Sequence, residues 1–313
     1  MTGVHGKSYR GELPPADANL IALADELRRD VTRLAVDIGE RNVRRCPRQL
    51  NRAAECIDAE FAAAGLSAKR QEYEISGCSC CNLEVEMTGA ICPAEIVIVG
   101  AHYDTVLYSA GANDNTTGIA AILALARRFA ARRTGRTLRF VAFVNEEMPY
   151  AHTEQMGSRV YARRCRQRNE NVVAMLSLET IGYYDDTPGS QKYPPPLSLF
   201  YPSQGNFIAF VGNLASRRLV RASLSAFRQN EPFPSEGAAL PEIIPRIDAS
   251  DHASFWAEGY PAIMVTDTAN FRYPHYHTPE DTIDKIHFER TARVVRGLEK
   301  VVATLAGSDQ IDS

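Results

Sequence analysis

The stretch EIVIVGAHYD, residues 95–104, joins a short apolar run to a histidine and an aspartate. An apolar run rich in β-branched residues is typical of a strand that is covered on both faces. Three further runs have the same character, at residues 138–144, 172–178 and 262–265. Together the four runs predict a largely parallel central sheet.

Amphipathic helices are predicted around these strands. One follows Asp17, a plausible helix cap, and a second runs from Pro47 to a stop at Gly65. A third is predicted from about residue 116 to 132, and a closing helix spans residues 294–305. Because strands and helices alternate, the predicted fold class is α/β, with a mixed, mostly parallel sheet and helices on both faces.

The expected domain organisation is a single domain over residues 1–313 with an insertion at 183–245. The insertion is rich in proline, glycine and serine, and one helix is predicted in it at residues 216–227. Long insertions often carry binding loops, so we expect this one to shape a substrate cleft. Before the sheet, residues 83, 85 and 87 are apolar and alternate with polar residues, which predicts a half-exposed strand.

Composition and charge argue against several classes of protein. A net charge of -3 with a pI near 6.2 gives no electrostatic reason to expect a nucleic-acid partner. No apolar run is long enough for a membrane-spanning helix, and residues 1–19 lack the apolar segment of a secretory signal, so we expect a cytoplasmic location. Cys78, Cys80 and Cys81 lack the paired spacing of a zinc site, and the seven cysteines are interpreted as reduced thiols.

Side chains that can bind a metal follow three of the four apolar runs. His102 follows the first, Glu146 and Glu147 follow the second, and Glu179 follows the third. Open α/β sheets bind ligands at the carboxyl ends of their parallel strands. Asp114 lies in the loop before the next helix. Two divalent cations carry four positive charges, which Asp114, Glu147, Glu179 and a hydroxide would balance. Histidine nitrogens are ligands that suit zinc.

Six motifs in this order resemble the signatures of the M28 family of co-catalytic zinc peptidases. The similarity extends from the helix before Gly65 to about residue 305. One motif alone is a weak signal, whereas six in order are specific. The motifs are His102-Tyr103-Asp104, residues 111–115 with Gly118, Asn145-Glu146-Glu147, residues 178–183, Ser250-Asp251-His252, and residues 275–278 with Asp281-Thr282.

The resemblance implies two zinc ions per chain and assigns their ligands. Asp114 would bridge both ions. His102 and Glu179 would complete one site, and Glu147 and His277 the other. Many family members carry aspartate where this chain has Glu179, and the longer arm of glutamate can alter the spacing of the metals.

The resemblance also implies the reaction. Glu146 would be the general base, and Asp104 would fix the orientation of the His102 imidazole. The expected activity is that of a zinc-dependent exopeptidase, an aminopeptidase that hydrolyses the N-terminal bond of a peptide or aminoacyl substrate through a metal-bridging water activated by Glu146. A glutaminyl-peptide cyclotransferase is the alternative, followed by a carboxypeptidase and a non-catalytic binding module.

Some polar residues near these motifs have a less specific interpretation. His275 alternates with His277, so we expect it to face away from the metals. Asp251 and His252 are compatible with contacts behind the ligands and with a purely structural role. Arg272 is interpreted as a surface cation, with pairing to a substrate carboxylate as the alternative.

Overall fold

The computed structural model describes residues 6–308. Eight strands among these residues form one sheet. They are β1 (Lys69–Ile75), β2 (Cys78–Met87), β3 (Cys92–His102), β4 (Arg136–Phe143), β5 (Asn171–Glu179), β6 (Ile208–Asn213), β7 (Ser235–Leu240) and β8 (Ala262–Thr266).

Seven α-helices accompany the strands in the described part of the chain. They are α1 (Ala18–Val31), α2 (Pro47–Ala63), α3 (Gly118–Phe129), α4 (Gly157–Gln167), α5 (Arg217–Asn230), α6 (His252–Ala257) and α7 (Phe288–Ala306). The helices predicted after Asp17, after Pro47, before residue 132 and at the end of the chain are confirmed as α1, α2, α3 and α7.

The strands lie in the order β1-β2-β4-β3-β5-β8-β6-β7. The central strands β4, β3, β5 and β8 are parallel to one another. On one side β2 pairs antiparallel with β4, and on the other β6 pairs antiparallel with β8. The predicted α/β class with a mixed, mostly parallel sheet is confirmed, and all four apolar runs are central strands.

Helices cover both faces of the sheet. The larger apolar core lies under α1, α2, α3, α5 and α7, and a smaller one lies under α4 and α6. Local sequence explains the first helix well. The Asp17 carboxylate accepts a hydrogen bond from the Leu20 amide at 2.8 Å, which caps α1, and Leu20, Leu23 and Leu27 on its inner face are buried.

The strand predicted at residues 83–87 is present as β2, but the expectation that it is half-exposed is wrong. Its polar residues Asn82 and Glu84 are buried. Asn82 donates to the backbone carbonyl of Gly157 at 2.8 Å, and Glu84 accepts a hydrogen bond from Tyr161 at 2.8 Å and another from Arg164. The polar face of β2 is therefore covered by α4.

The segment at residues 183–245 contains the predicted helix, as α5, and also two strands that the sequence did not predict. Strand β7 has the sequence SEGAAL, which contains no β-branched or aromatic residue and so gives no local signal. It is a strand because it pairs with β6 along its whole length. The segment thereby widens the sheet.

Two further expectations concern absences. Among residues 6–308, no helix is both long and apolar enough to cross a bilayer. The seven cysteines form no disulfide in the described chain, and none belongs to a group of side chains that can hold a metal.

Candidate metal centre

Three parallel strands end at the same edge of the sheet and carry the candidate ligands there. Strand β3 ends at His102, β5 ends at Glu179, and Glu147 follows β4 after three residues. Directly at these ends Asn145 and Thr180 have left-handed backbones, with φ of 59° and 42°. Non-glycine residues in this conformation are strained, and such strain is concentrated at functional sites.

The loop before α3 brings Asp114 to the same place. The Asp281 carboxylate accepts hydrogen bonds from the backbone amides of Asn113 at 2.8 Å and Asp114 at 3.0 Å, which fixes the loop. The loop also packs closely on β5. A Cβ atom at Gly118 would lie 2.5 Å from the carbonyl oxygen of Leu178, so this contact requires glycine.

The five predicted ligands form two groups that share Asp114. In the first group, Nε2 of His102 lies 3.3 Å from Oδ1 of Asp114 and 3.3 Å from Oε2 of Glu179. In the second, Nε2 of His277 lies 3.0 Å from Oδ2 of Asp114 and 3.3 Å from Oε2 of Glu147. Each oxygen of Asp114 therefore faces a different histidine.

These distances fit tetrahedral zinc. Two ligands that each lie about 2.0–2.1 Å from one tetrahedral ion are separated by roughly 3.3 Å. In addition, Nε2 of His102, Oδ2 of Asp114 and Oε1 of Glu147 are buried polar atoms without a hydrogen-bond partner among the described residues. Leaving such atoms unpaired is costly, and a cation between them removes that cost. The donor set of nitrogen and carboxylate oxygen also suits zinc.

Without a cation, the cluster is electrostatically unfavourable. Burial, reinforced by neighbouring carboxylates, raises the pKa of Glu147 to about 7 and that of Glu179 to about 7. Burial lowers the pKa of His277, but the adjacent carboxylates of Asp114 and Glu147 outweigh it and raise that pKa to about 11. The metal-free cluster thus retains protons that metal binding would displace.

Asp104 links the ends of β3 and β4. Its carboxylate accepts hydrogen bonds from the backbone amides of Glu146 at 3.0 Å and Glu147 at 3.1 Å. Nδ1 of His102 is 3.2 Å from the backbone carbonyl of Asp104 and 3.6 Å from its carboxylate. The carbonyl can accept only if Nδ1 carries the proton, which leaves the lone pair of Nε2 directed at the cluster.

Glu146 lies beside the cluster without belonging to either ligand group. Its Oε2 is 3.8 Å from Nε2 of His102, and its side chain is 13% exposed, so it can reach a solvent molecule. Burial is the main reason why its pKa is raised well above the usual value, and Glu179 and Glu147 raise it further. A carboxylate in this environment is a stronger base than one in water.

Arg41 is a residue that sequence reasoning missed. It is fully buried, yet it forms no ion pair in the described chain. Its guanidinium donates to the carbonyls of Tyr103 at 2.5 Å and Ala110 at 2.8 Å and to the hydroxyl of Thr116 at 2.5 Å. Arg41 therefore joins the segment that carries His102 to the loop that carries Asp114. A single arginine before a helix gives no pattern by which it can be found.

Ser250 and Tyr276 also contact the site. The hydroxyl of Ser250 donates to Oε2 of Glu179 at 2.8 Å, which orients that carboxylate. The ring of Tyr276 stacks on His277 with 3.8 Å between centroids. Burial and the nearby carboxylates hold the pKa of Tyr276 well above its usual value, so its phenol stays protonated and is a donor. The motifs contained both residues but indicated no role for them.

The remaining candidates lie around the cluster. His275 is outside both ligand groups and packs edge-on against Tyr273. Asp251 is buried, its two carboxylate oxygens lack hydrogen-bond partners among the described residues, and burial raises its pKa to about 7. His252 lies with Nε2 2.6 Å from the carbonyl of Ile247, which is a structural contact.

The expectation that Arg272 is a surface cation is wrong. It is 6% exposed and donates to the side chain of Gln191 at 2.9 Å and to the carbonyl of Phe207 at 2.8 Å. Its guanidinium also lies 4.5 Å above the Phe207 ring. These contacts join the first half of the 183–245 segment to the loop after β8.

Comparison with known proteins places most of the chain in one family. The model of Peptidase family M28 matches residues 82–302, a range that contains all five candidate ligands. The chain belongs to this peptidase family. The resemblance inferred from the six motifs is thereby confirmed.

Two bacterial proteins are similar to this chain in sequence. The chain is 38% identical to the uncharacterized protein YfbL of Escherichia coli over 80% of its own length and 78% of that protein. It is 28% identical to the aminopeptidase YwaD of Bacillus subtilis over 63% of its length, and it spans only 38% of YwaD.

Solved structures share the fold. BSAP, a zinc aminopeptidase from Bacillus subtilis, superposes with a TM-score of 0.72 at 16% identity, over 94% of this chain and 96% of that one. The glutaminyl cyclase of Fimbriiglobus ruber superposes with a TM-score of 0.65 at 18% identity, over 95% of this chain and 98% of that one. At these identities the likeness concerns the fold alone.

Proposed function

We propose that this M28 peptidase is an aminopeptidase that holds two zinc ions. The observation that carries the proposal is the pair of ligand groups that share Asp114, each with one histidine and two carboxylates. His102, Asp114 and Glu179 would hold one ion, and Asp114, Glu147 and His277 the other. The nitrogen-to-oxygen distances of 3.0 to 3.3 Å support ligation of this kind.

The side chains around the ligands supply acid–base chemistry. Bound zinc would lower the pKa of water towards neutrality and polarise the carbonyl of the peptide bond. Glu146 takes a proton from the attacking water and later returns it to the leaving amine, a role that suits its raised pKa and partial exposure. Asp104 holds the backbone of Glu146 in place, and Tyr276, which lines the adjoining cavity, carries a protonated phenol.

The surroundings of Glu179 support an exopeptidase. A cavity of about 110 Å³ begins at Glu179 and Tyr276 and is walled by the 183–245 segment, which would shape the substrate cleft. A free α-amine is a cation and would be attracted by the buried carboxylates at the cavity mouth. The name of the relative YwaD also supports aminopeptidase activity.

A glutaminyl cyclase is the second candidate, because the Fimbriiglobus ruber cyclase shares the fold over almost the whole chain. The number of bound metal ions distinguishes the aminopeptidase from the cyclase. Metal analysis that gives near two zinc ions per chain supports the peptidase, and near one favours the cyclase. A protein that binds none would be a binding module instead.

The deciding experiment is a screen of substrates by the zinc-loaded protein with and without a chelator. Aminoacyl anilides, the same anilides with blocked amines, N-terminal glutamine peptides and peptides with free carboxyl ends are compared. We expect hydrolysis of free-amine substrates only, lost on chelation. Release of C-terminal residues would assign a carboxypeptidase, and cyclisation of glutamine peptides without hydrolysis would assign a cyclase.

A further inference from the structure

The cavity beside Glu179 is lined by buried apolar side chains that belong to neither of the two apolar cores. They are Phe207, Ala209, Ala238, Ile247 and Met264. Buried apolar atoms that border an empty space lack the contacts that close packing supplies, so an apolar ligand in that space restores them. Glu179 and Tyr276 line the same cavity, which connects it to the metal centre.

The floor of this cavity is one face of the sheet. Glu179 of β5 pairs with Thr266 of β8, and Thr266 pairs with Ala209 of β6. Neighbouring strands are about 4.8 Å apart, so the backbone of Ala209 lies about 10 Å from that of Glu179. Because the side chain of Ala209 is a single methyl group, space remains above this part of the floor.

Aromatic rings form much of the cavity wall. The contributing residues are Tyr193, Tyr201, Phe207, Phe271 and Tyr276. The hydroxyl of Tyr193 donates to the carbonyl of Pro202 at 2.6 Å, and that of Tyr201 donates to the carbonyl of Gly237 at 3.1 Å. These two tyrosines therefore use their protons within the protein and offer the cavity their rings. Pairs of aromatic rings are more stable than their buried area alone explains.

Glu236, at the far end of the floor, already has partners. Its Oε2 pairs with Nη2 of Arg228 at 3.8 Å, and the same carboxylate faces Ser8 and Arg10. A cationic side chain in the cavity would therefore compete with two arginines for this carboxylate. Glu236 closes the cavity without selecting a charge.

The two cations that line the cavity are exposed. Lys192 and Arg246 both have exposed side chains, and Nζ of Lys192 donates to the carbonyl of Gly189 at 2.9 Å. Solvent and salt screen exposed charges, so these two residues add little to the binding of a buried side chain. The interior of the cavity therefore favours an apolar occupant.

We propose that this cavity binds the side chain of the substrate's N-terminal residue and selects phenylalanine, with Ala209 setting its depth. The inference rests on the proposed aminopeptidase function and names its substrate class. An engineered apolar cavity of about 150 Å³ binds benzene, and this cavity has about 110 Å³, the scale of one ring. A phenylalanine side chain reaches about 5 Å from its Cα, so a residue bound beside Glu179 extends its ring towards Ala209.

Other side chains fit the cavity less well. Leucine is smaller than phenylalanine, so it leaves part of the space empty, and it lacks the contacts between rings. Alanine leaves nearly all of the apolar wall uncovered. Lysine or glutamate would bury a charge that finds no free partner inside, at a cost in binding free energy.

The test compares kcat/KM of the zinc-loaded protein for the anilides of phenylalanine, leucine, alanine and lysine. We expect phenylalanine to be preferred to alanine by about 10- to 100-fold, as for burial of a large apolar side chain. It should be preferred to leucine by about 3-fold through the aromatic contacts, and to lysine by about 10-fold or more. Equal values for phenylalanine and alanine, or a preference for leucine or lysine, would overturn the inference.

A substitution on the floor tests the role of Ala209. Ala209→Leu should lower kcat/KM for phenylalanine by about 10-fold or more, because the added atoms occupy the place of the ring. The value for alanine should stay unchanged, and this comparison within one protein separates a filled cavity from a damaged fold. Ala222→Leu, at an exposed position on α5, is the control and should keep the wild-type ratio. An unchanged ratio in Ala209→Leu would contradict the role of Ala209.

A binding measurement separates failure of this inference from failure of the proposed function. The affinities of phenylalaninamide and alaninamide for zinc-loaded Glu146→Gln are measured by calorimetry, which requires no hydrolysis. Tighter binding of phenylalaninamide that disappears when Ala209→Leu is added supports the aromatic pocket even if no anilide is cleaved. Equal affinities of the two amides would overturn it, whether or not anilides are cleaved.

Discussion

The guanidinium of Arg41 donates a hydrogen bond of 2.5 Å to the backbone carbonyl of Tyr103, the residue directly after the candidate ligand His102. A buried arginine commonly pairs with a carboxylate, whereas this one binds backbone carbonyls and a hydroxyl. Its charge faces Asp104, Asp281 and Asp114, which partly offset the lowering of its pKa by burial. Arg41 thus holds the segments of the site together and partly compensates the negative charge of the nearby carboxylates.

Replacement of Arg41 by methionine should lower the free energy of unfolding by about 3 kcal/mol or more, because several buried carbonyls lose their donor. Urea denaturation measures the effect. Arg44→Met is the matched control, since Arg44 is exposed, and it should change stability by less than about 0.5 kcal/mol. Equal stability of the two variants would contradict the role given to Arg41.

Glu146→Gln should lower kcat by about 10² to 10⁴ while zinc content stays unchanged, because the side chain moves protons and is not a ligand. Steady-state kinetics and metal analysis of the same preparation provide the two readouts. Full activity in this variant would remove Glu146 from the mechanism. Loss of zinc would instead make it a ligand.

Ser250→Ala should weaken zinc binding by about 10-fold, because Glu179 loses the hydrogen bond that orients its carboxylate. Competition with a fluorescent zinc chelator measures the affinity. Ser254→Ala is the matched control, since Ser254 is also buried but bonds to Ser158, away from the ligands. The prediction fails if both variants bind zinc equally well.

The stability of the metal-free protein should fall as the pH rises from 6.5 to about 8. Burial raises the pKa of Glu147 and Glu179 to about 7, above the 4.5 of an exposed glutamate, and the carboxylates raise that of His277 to about 11. In this window the folded state therefore binds more protons than the unfolded state, and stability decreases with pH.

Zinc should reverse this trend, because its ligands must lose their protons and its affinity therefore increases with pH. Urea unfolding at three pH values, with and without saturating zinc, measures both slopes. Parallel slopes in the two forms would show that the five side chains do not titrate together with metal binding.

The sequence was sufficient for the parts of the fold that have strong local patterns. The runs at 96–99, 138–144, 172–178 and 262–265 are nearly continuous in apolar residues, and each coincides with a central parallel strand. Strand β7 could not be predicted, because its residues have no strand preference and only pairing with β6 makes it a strand. The prediction that β2 is half-exposed was wrong because α4 covers its polar face. That contact joins distant segments and cannot be read from the local sequence.

In the candidate site, too, some residues were predictable from the sequence and others were not. His102, Glu147 and Glu179 were predicted because they follow recognisable strands, and their neighbourhood in space follows from parallel pairing. Arg41 and the Ser250 hydroxyl act through single contacts between distant segments, and no spacing reveals such contacts. Their roles became visible only from the hydrogen bonds of the folded chain.

Different strands of the sheet serve different tasks. Strands β3, β4 and β5 lead to His102, Glu146, Glu147 and Glu179, whereas β8, β6 and β7 form the floor of the cavity beside Glu179. Small residues such as Ala209 and Ala238 lie on that floor. Substitutions at such positions would change which substrates fit the cavity and leave the candidate ligands unchanged. The same scaffold can thus acquire a new substrate preference while its reaction stays the same.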